Sequence, residues 1–188
     1  MAVLGLDIGT GGSRAVLVAD DGQLLATATA AHTPFASPAT GWAEQQPGDW
    51  WRAARQAIQQ VLSTGPVAAI DVRAVGLSGQ MHGAVLMDEA GEVVRPAIIW
   101  CDQRTDAECR ALTRQIGASR LIELVSNPAL TGFTLPKLLW VRDHEPAAWD
   151  RVRSVLLPKD FVRWCLTGER ATDVADASGT LLFDVAHR

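Results

Sequence analysis

Short apolar runs separated by turn residues predict three antiparallel strands at the start of the chain. Residues 3–8 are mostly aliphatic, and residues 14–18 and 24–28 repeat a strand-like composition. The Asp-Asp-Gly sequence at 20–22 is a hairpin turn signal, and glycines dominate residues 9–12 between the first two runs. The opening of the chain therefore predicts a β-meander.

A helical pattern and a further strand follow the meander. Residues 32–48 are rich in Pro, Ala and Gly and predict a surface loop that carries Trp42. Apolar residues recur at helical spacing over residues 50–62, with Asp49 as a good N-cap. Residues 73–79 predict a buried strand. A meander, a crossover helix and a parallel strand are the opening of an RNase H-like or actin-like α/β domain with a mixed sheet.

The second half of the chain predicts shorter elements of both kinds. A hairpin is expected over residues 84–99, with its turn at 89–92. The other expected elements are a helix capped by Asp102 or Thr105 and ended by Gly117, a helix at 119–125, a helix with Pro136 in its first turn, a strand at 155–157 and a helix at 159–166 ended by Gly168.

Composition narrows the class of protein. A chain of 188 residues with 48% hydrophobic content suits one domain with a core. Mean hydropathy is +0.09 and no apolar run approaches the roughly 20 residues of a membrane helix. The net charge of −4 argues against a nucleic-acid partner, which calls for a basic surface. The three cysteines lack metal spacing and predict reduced thiols in the cytoplasm.

Residues 9–13, Gly-Thr-Gly-Gly-Ser, form the expected turn between the first two strands, with Asp7 and Arg14 beside it. Glycines in a tight turn leave backbone N–H groups exposed, and a concave row of such groups suits phosphate oxygens. The spacing differs from the two common phosphate loops, which open a helix and not a strand. The segment is therefore a candidate phosphate-binding hairpin. The alternative is an ordinary hairpin in which Asp7 bonds its own backbone.

The segment from Asp7 to Arg14 resembles the first phosphate motif of the actin-like ATPases, and especially that of the FGGY family of carbohydrate kinases. The resemblance implies ATP and Mg²⁺ as cofactors, with Asp7 as the catalytic carboxylate that holds the metal, usually through water. Thr10, Gly11, Gly12 and Arg14 would contact the ATP phosphates. Many family members carry hydroxyl side chains at the two glycine positions, so contact there would come from backbone N–H groups alone.

Two later segments resemble sugar-binding stretches of the same family. Residues 80–83, Gln-Met-His-Gly, follow a predicted strand, where α/β folds bind ligands, and look like the loop of members that act on the pentulose D-xylulose. Residues 100–104 resemble a W-x-D-x-R motif. Without the resemblance, a histidine in such a loop is more often solvated or structural, and the aspartate is equally well a helix N-cap. The resemblance implies four substrate contacts, namely Gln80, Met81, His82 and Asp102.

The resemblance extends over essentially the whole chain. It implies that residues 1–188 form an incomplete N-terminal lobe of the actin-like (hexokinase-type) fold, with the general-base aspartate and the second lobe lying outside it. The implied reaction transfers the γ-phosphate of ATP to the 5-hydroxyl of D-xylulose in the cytoplasm, without a membrane, and a homodimer is compatible with it. The isolated chain is expected to be inactive, because Asp160, Asp173, Asp176 and Asp184 lie in the wrong contexts for the base.

Three alternatives stay open at this point. One is another sugar kinase of the same family. A second is a non-catalytic actin-like module that binds a nucleotide or a sugar. The third is an RNase H-like nuclease, for which Asp7 on the first strand is the right starting carboxylate, although residues 73–79 carry none of the further acids that two metals need.

Overall fold

The computed structural model describes residues 1–187, and its main sheet forms from the first half of the chain. Its β5 lies parallel to β1, whereas β1, β2 and β3 form an antiparallel meander, so the strand order is β3-β2-β1-β5. The predicted meander, crossover helix and parallel strand are confirmed. The elements in chain order are β1 (Ala2–Ile8), β2 (Gly12–Ala19), β3 (Leu24–Ala31), β4 (Glu44–Gln45), α1 (Pro47–Thr64) and β5 (Val72–Gly79).

The core lies between one face of this sheet and α1. Alternate residues of β1 point to this face and are buried, as a period of two requires. The facing side of α1 carries alanines at 53, 54 and 57, whose small side chains let the helix lie close to β2 and β3. Trp50 at the start of the helix is fully buried and fills the end of this layer.

The start of α1 differs from the sequence prediction. The helix begins at Pro47, with Gln46 at the N-cap, and Asp49 lies in its first turn. Proline suits this position because its missing N–H is one that the first turn leaves unpaired in any case. The Asp49 carboxylate accepts hydrogen bonds from the Thr33 backbone and from Arg52 and does not cap the helix.

Residues 73–79 form a strand as predicted, but the prediction that this strand is buried is wrong. Ala74, Val75 and Gly76 are exposed, and Val75 keeps 45% of its accessible surface. The reason is that β5 ends the sheet, so its outer edge has no partner strand within residues 1–187, and α1 packs mainly on β2 and β3. An apolar sequence cannot reveal whether a strand is central or terminal.

The second half of the chain forms short elements around two small sheets. Gly117 (φ 92°) follows α2 and Gly168 (φ 75°) follows α6, as predicted. Thr105 takes the N-cap position of α2. The elements are β6 (Val85–Met87), β7 (Ala97–Ile98), α2 (Asp106–Ile116), α3 (Ala118–Val125), α4 (Thr134–His144), α5 (Pro146–Trp149), β8 (Ser154–Leu156), α6 (Pro158–Thr167) and α7 (Val174–Ala177).

The predicted hairpin over residues 84–99 forms only in part. Two bridges join its arms, Met87 to Val93 and Ala84 to Ile98, whereas β6 pairs with β8 and β7 pairs with β4. Strands from distant segments therefore pair with both arms in addition to this local pairing. Residues 33–41 of the loop before α1 are exposed as predicted, whereas Trp42 is half-buried and packs T-shaped against Trp140 at 5.2 Å between ring centroids. None of the helices within residues 1–187 is long and apolar enough to cross a membrane.

Replacement of Trp50 by alanine tests the placement of the core. Loss of a fully buried indole is expected to lower the free energy of unfolding by about 3–5 kcal/mol. Urea unfolding followed by circular dichroism measures this. The control is Leu24→Ala, at a residue that is 59% exposed, with an expected change of at most about 0.5 kcal/mol. Equal stability of the two variants would contradict this packing.

Candidate active site

The glycine hairpin places Asp7 and Arg14 side by side, at the end of β1 and the start of β2. The two residues are directly paired in the antiparallel register of β1 and β2, and both are exposed on the face away from α1. The turn is closed by the Gly9 N–H, which donates to the Gly12 carbonyl at 3.0 Å. A Cβ at Gly11 would meet nothing within 4 Å, so the tip of the hairpin is open to a ligand.

His32 and Gln45 fix the hairpin from the protein interior. The His32 Nε2 atom lies 2.9 Å from the Ser13 hydroxyl, and the His32 backbone N–H donates to the Gly11 carbonyl at 3.0 Å. The Gln45 side chain donates to the Thr10 carbonyl at 2.8 Å. Burial lowers the pKa of His32 below its usual value, so the ring is neutral near pH 7. Contacts within the protein therefore hold the hairpin backbone in place.

Asp7 is also oriented from the other side. The Ser78 hydroxyl of β5 donates to Asp7 Oδ1 at 2.7 Å, because the parallel register of β1 and β5 aligns these two residues. Residues 1–187 contain no group of three His, Cys, Asp or Glu side chains that could hold a metal by themselves. A single carboxylate suits Mg²⁺, which keeps several waters and is commonly bound through one or two carboxylates and the phosphates of a substrate.

Gln80 joins the hairpin to the loop that follows β5. Its backbone N–H donates to the Ile8 carbonyl at 2.7 Å, and its side-chain Nε2 donates to Gln45 Oε1 at 2.9 Å. Its Oε1 accepts a hydrogen bond from the Thr10 hydroxyl at 3.3 Å. The side chain is buried, and both ends of its amide are bonded within the protein. This arrangement argues against the direct sugar contact expected for Gln80 and gives it a linking position.

His82 and Met81 face an open pocket. Met81 is exposed, and the His82 ring is half-buried and packs T-shaped against Phe133 with 4.7 Å between the ring centroids. His82 takes a left-handed backbone conformation with φ 63°, which is uncommon for a residue with a side chain. Burial and the charge of Lys137 lower the pKa of His82 to about 4, so its imidazole is neutral at pH 7. Its Nδ1 atom is buried, which leaves Nε2 as the ring nitrogen available to a ligand.

The pocket beside His82 has a volume of about 630 Å³ and lies between the end of β5 and α7. Lys159 lies in its wall with Nζ 2.7 Å from Asp160, 2.8 Å from Asp173 and 3.1 Å from Asp176. Three carboxylates therefore surround one buried cation. That none of them is the general base stays a prediction. The pocket is lined in part by Met81, His82, Asn127, Phe133, Asp176 and Gly179.

Asp102 lies away from this pocket. Its side chain is 0% exposed, and its carboxylate binds the Arg104 guanidinium at 2.8 Å and the Ala43 backbone N–H at 2.6 Å. The Arg104 guanidinium in turn lies 3.8 Å from the centroid of the Trp42 ring. This burial argues against the sugar contact expected for Asp102, which instead ties the segment before α2 to the loop before α1.

Trp100 and Lys137 are candidate site residues that the sequence reasoning did not select. Trp100 is 46% exposed, and its indole N–H donates to the Thr10 hydroxyl at 2.9 Å. Lys137 donates to the carbonyl of His82 at 2.8 Å. Trp100 could have been noticed as the aromatic residue of the motif that contains Asp102. Nothing in the sequence shows that Lys137 is buried.

The comparison with family models decides the class of protein. The model of the N-terminal domain of the FGGY family of carbohydrate kinases matches residues 2–188. The chain belongs to this family. The match sets aside the nuclease alternative and confirms the resemblance noted in the sequence.

Individual relatives agree with the family. The chain is 42% identical to the xylulose kinase of Klebsiella pneumoniae and 39% identical to that of Bacillus subtilis, over 98% and 99% of its length. It covers 37% of each of these proteins. The solved xylulose kinase of Rhodospirillum rubrum superposes with a TM-score of 0.92 at 31% identity, over 99% of this chain and 38% of that one. This FGGY domain therefore has the expected actin-like sugar-kinase fold.

The environment of His82 predicts an unusual titration. The imidazole should titrate near pH 4, whereas a solvated imidazole titrates near pH 6.5. The unfolded chain therefore binds a proton that the folded domain excludes, so this residue makes the domain less stable as the pH falls from about 6.5 toward 4. NMR titration of the ring C–H signals, assigned with His82→Gln, measures the pKa. A value near 6.5 would contradict the described environment.

Proposed function

We propose that residues 1–188 act as the N-terminal domain of an ATP-dependent D-xylulose kinase, which transfers the γ-phosphate of ATP to the 5-hydroxyl of the sugar. The observation that carries the proposal is the adjacency of two loops: the glycine hairpin with Asp7, and the Met81–His82 loop, joined through Gln80. Phosphoryl transfer depends mainly on positioning and charge stabilisation, and this adjacency suits two substrates that must meet in line. The names of the relatives support xylulose as the sugar.

The hairpin fits a nucleotide phosphate with its metal. Asp7 and Arg14 supply one carboxylate and one guanidinium on the same exposed face, and the tip at Gly11 has space around it. In the proposal, Asp7 holds Mg²⁺, which offsets phosphate charge when bound, while Arg14 and the hairpin from Thr10 to Gly12 bind phosphate oxygens. Gly12 is needed for a further reason, since a Cβ there would lie 2.8 Å from the Ala30 carbonyl oxygen.

The pocket fits a small polyol. The Nε2 atom of the neutral His82 ring can form a hydrogen bond with a sugar hydroxyl, and the exposed Met81 side chain can cover an apolar face of the sugar. Trp100 adds an indole beside Thr10, at the junction of the two loops. In this proposal Gln80 and Asp102 support the site and do not touch the sugar. The cytoplasmic location and the homodimer stay predictions.

The general base is assigned to none of the acids around Lys159. Asp160, Asp173 and Asp176 all pair with that cation. The hydrogen bond from Lys159 lowers the pKa of Asp173, whereas burial raises the pKa of Asp176. We assign the base to a carboxylate outside this domain, in a kinase of the relatives' length. A polypeptide of residues 1–188 alone is therefore expected to consume no ATP in a D-xylulose-dependent way.

Substrate specificity tests the proposal directly. A coupled assay of ATP consumption, using the full polypeptide that the gene encodes, should give its highest kcat/KM with D-xylulose when D-xylulose, D-ribulose and glycerol are compared. A higher value for another substrate would indicate a different FGGY sugar kinase. Nucleotide or sugar binding without turnover would indicate a binding module.

Asp7→Asn should reduce kcat at least about 100-fold, because an amide is a poor Mg²⁺ ligand, while circular dichroism stays unchanged. The matched control is Asp71→Asn, which makes the same chemical change at the opposite end of the sheet, just before β5. The control should keep parental turnover. Parental turnover in Asp7→Asn would remove Asp7 from the mechanism.

His82→Ala should raise the KM for D-xylulose about 5-fold or more and leave the KM for ATP within about 2-fold. Loss of one hydrogen bond to a sugar hydroxyl costs about 1 kcal/mol, which corresponds to this factor. Initial-rate kinetics with each substrate varied in turn measure the two values. An equal rise in both would show that the loop has only a structural role.

A further inference from the structure

Lys137 is an unusual residue for the interior of a small domain. It lies in the first half of α4, and its side chain is 0% exposed. Burial lowers its pKa to about 7. Burying an amine is unfavourable unless its hydrogen bonds are satisfied, so the contacts of this amine are informative.

The hydrogen bonds of Lys137 go to two backbone carbonyls. Its Nζ donates to the His82 carbonyl at 2.8 Å and to the Gly132 carbonyl at 2.6 Å. The Thr134 hydroxyl donates to the same His82 carbonyl at 3.2 Å. A neutral amine still has two N–H groups, so these two bonds do not require the charged form.

The conformation of His82 depends on such support. A residue with a side chain reaches φ 63° only at a cost in conformational energy, and it stays there when its surroundings hold it. The ring is confined as well, because Phe133 lies against its edge and a Cβ at Gly179 would come within 2.3 Å of its Cε1 atom. The backbone of the loop is thus held on one side and its ring on two others.

Lys137 also connects the two walls of the site. Gly132, its second acceptor, packs closely on the segment that carries Trp100, since a Cβ at Gly132 would lie 3.0 Å from the Trp100 carbonyl oxygen. One amine therefore links the His82 loop to the backbone that faces the Trp100 segment. A hydrophobic residue of similar length could fill the same volume but could not hold these carbonyls.

We propose that Lys137 is a positioning residue for sugar binding, which fixes the His82 loop and thereby aims the imidazole into the pocket. The proposal rests on the proposed function for the identity of the sugar. Lys137 touches no substrate in this scheme and acts through His82.

A double-mutant cycle tests this role. In the full encoded polypeptide, Lys137→Met should raise the KM for D-xylulose about 5-fold or more, with the KM for ATP within about 2-fold. In a His82→Ala background the same substitution should change the KM by less than about 2-fold, because its effect passes through a ring that is no longer present. Additive effects, or an equal rise in both KM values, would overturn the proposal.

A second measurement does not depend on activity. Hydrogen–deuterium exchange of peptides covering residues 80–84 should speed up at least about 10-fold in Lys137→Met, while peptides from β1 and β2 stay protected. The control is Arg142→Met on the same helix, whose side chain is exposed and paired with its neighbour Asp143. It should change neither exchange nor KM. Unchanged exchange at 80–84 in Lys137→Met would overturn the proposal.

Thr134→Val covers the case in which Lys137→Met fails to fold. This variant removes the other donor to the His82 carbonyl and should raise the KM for D-xylulose and the loop exchange in the same direction by a smaller factor. No change in either would overturn the proposal. If the parent protein turns over no D-xylulose, the proposed function fails separately, and the exchange data still decide whether Lys137 holds the loop.

Discussion

The parallel pairing of β5 with β1 is the constraint on which the candidate site depends. It aligns Asp7 with Ser78 and Ile8 with Gly79, so the glycine hairpin and the Met81–His82 loop both follow the C-terminal ends of their strands, on the same side of the domain. In an antiparallel pairing the second loop would follow the opposite end of the strands. The crossover helix α1 makes the parallel arrangement possible, and its burial against the sheet fixes it.

Buried amides then set how the two loops meet. Gln45 and Gln80 bond to each other, and together they hold the Thr10 carbonyl and hydroxyl. Buried polar groups are costly when unpaired, so a network in which each amide has partners specifies one arrangement of the loops. Lys137 plays a comparable part on the far side of His82. Few polar side chains therefore face the ligand positions, and more of them hold those side chains and their loops in place.

Much of the fold could be predicted because its signals are local. Glycines after α2 and α6, the turn before β3 and the helical spacing in α1 all act within a few residues, and each element appears in the structure. The predictions fail where contacts with distant parts of the chain determine the pairing of a strand or the bounds of a helix. The residues at 93–99 pair with β4 and not only with β6, and Pro47 extends α1 beyond the apolar pattern that predicted it.

The meander, the crossover helix and the glycine hairpin with Asp7 follow from the sequence, because hydrophobic period and turn chemistry are properties of neighbouring residues. Which polar side chains face the pocket depends on long-range packing. Asp102 is buried through a bond to Ala43, 59 residues away, and Trp100 reaches Thr10 across 90 residues. Burial depends on packing between segments that are distant in the chain. A short motif can therefore contain both a buried, structural aspartate and an exposed tryptophan, and the motif sequence alone does not show which residue is buried.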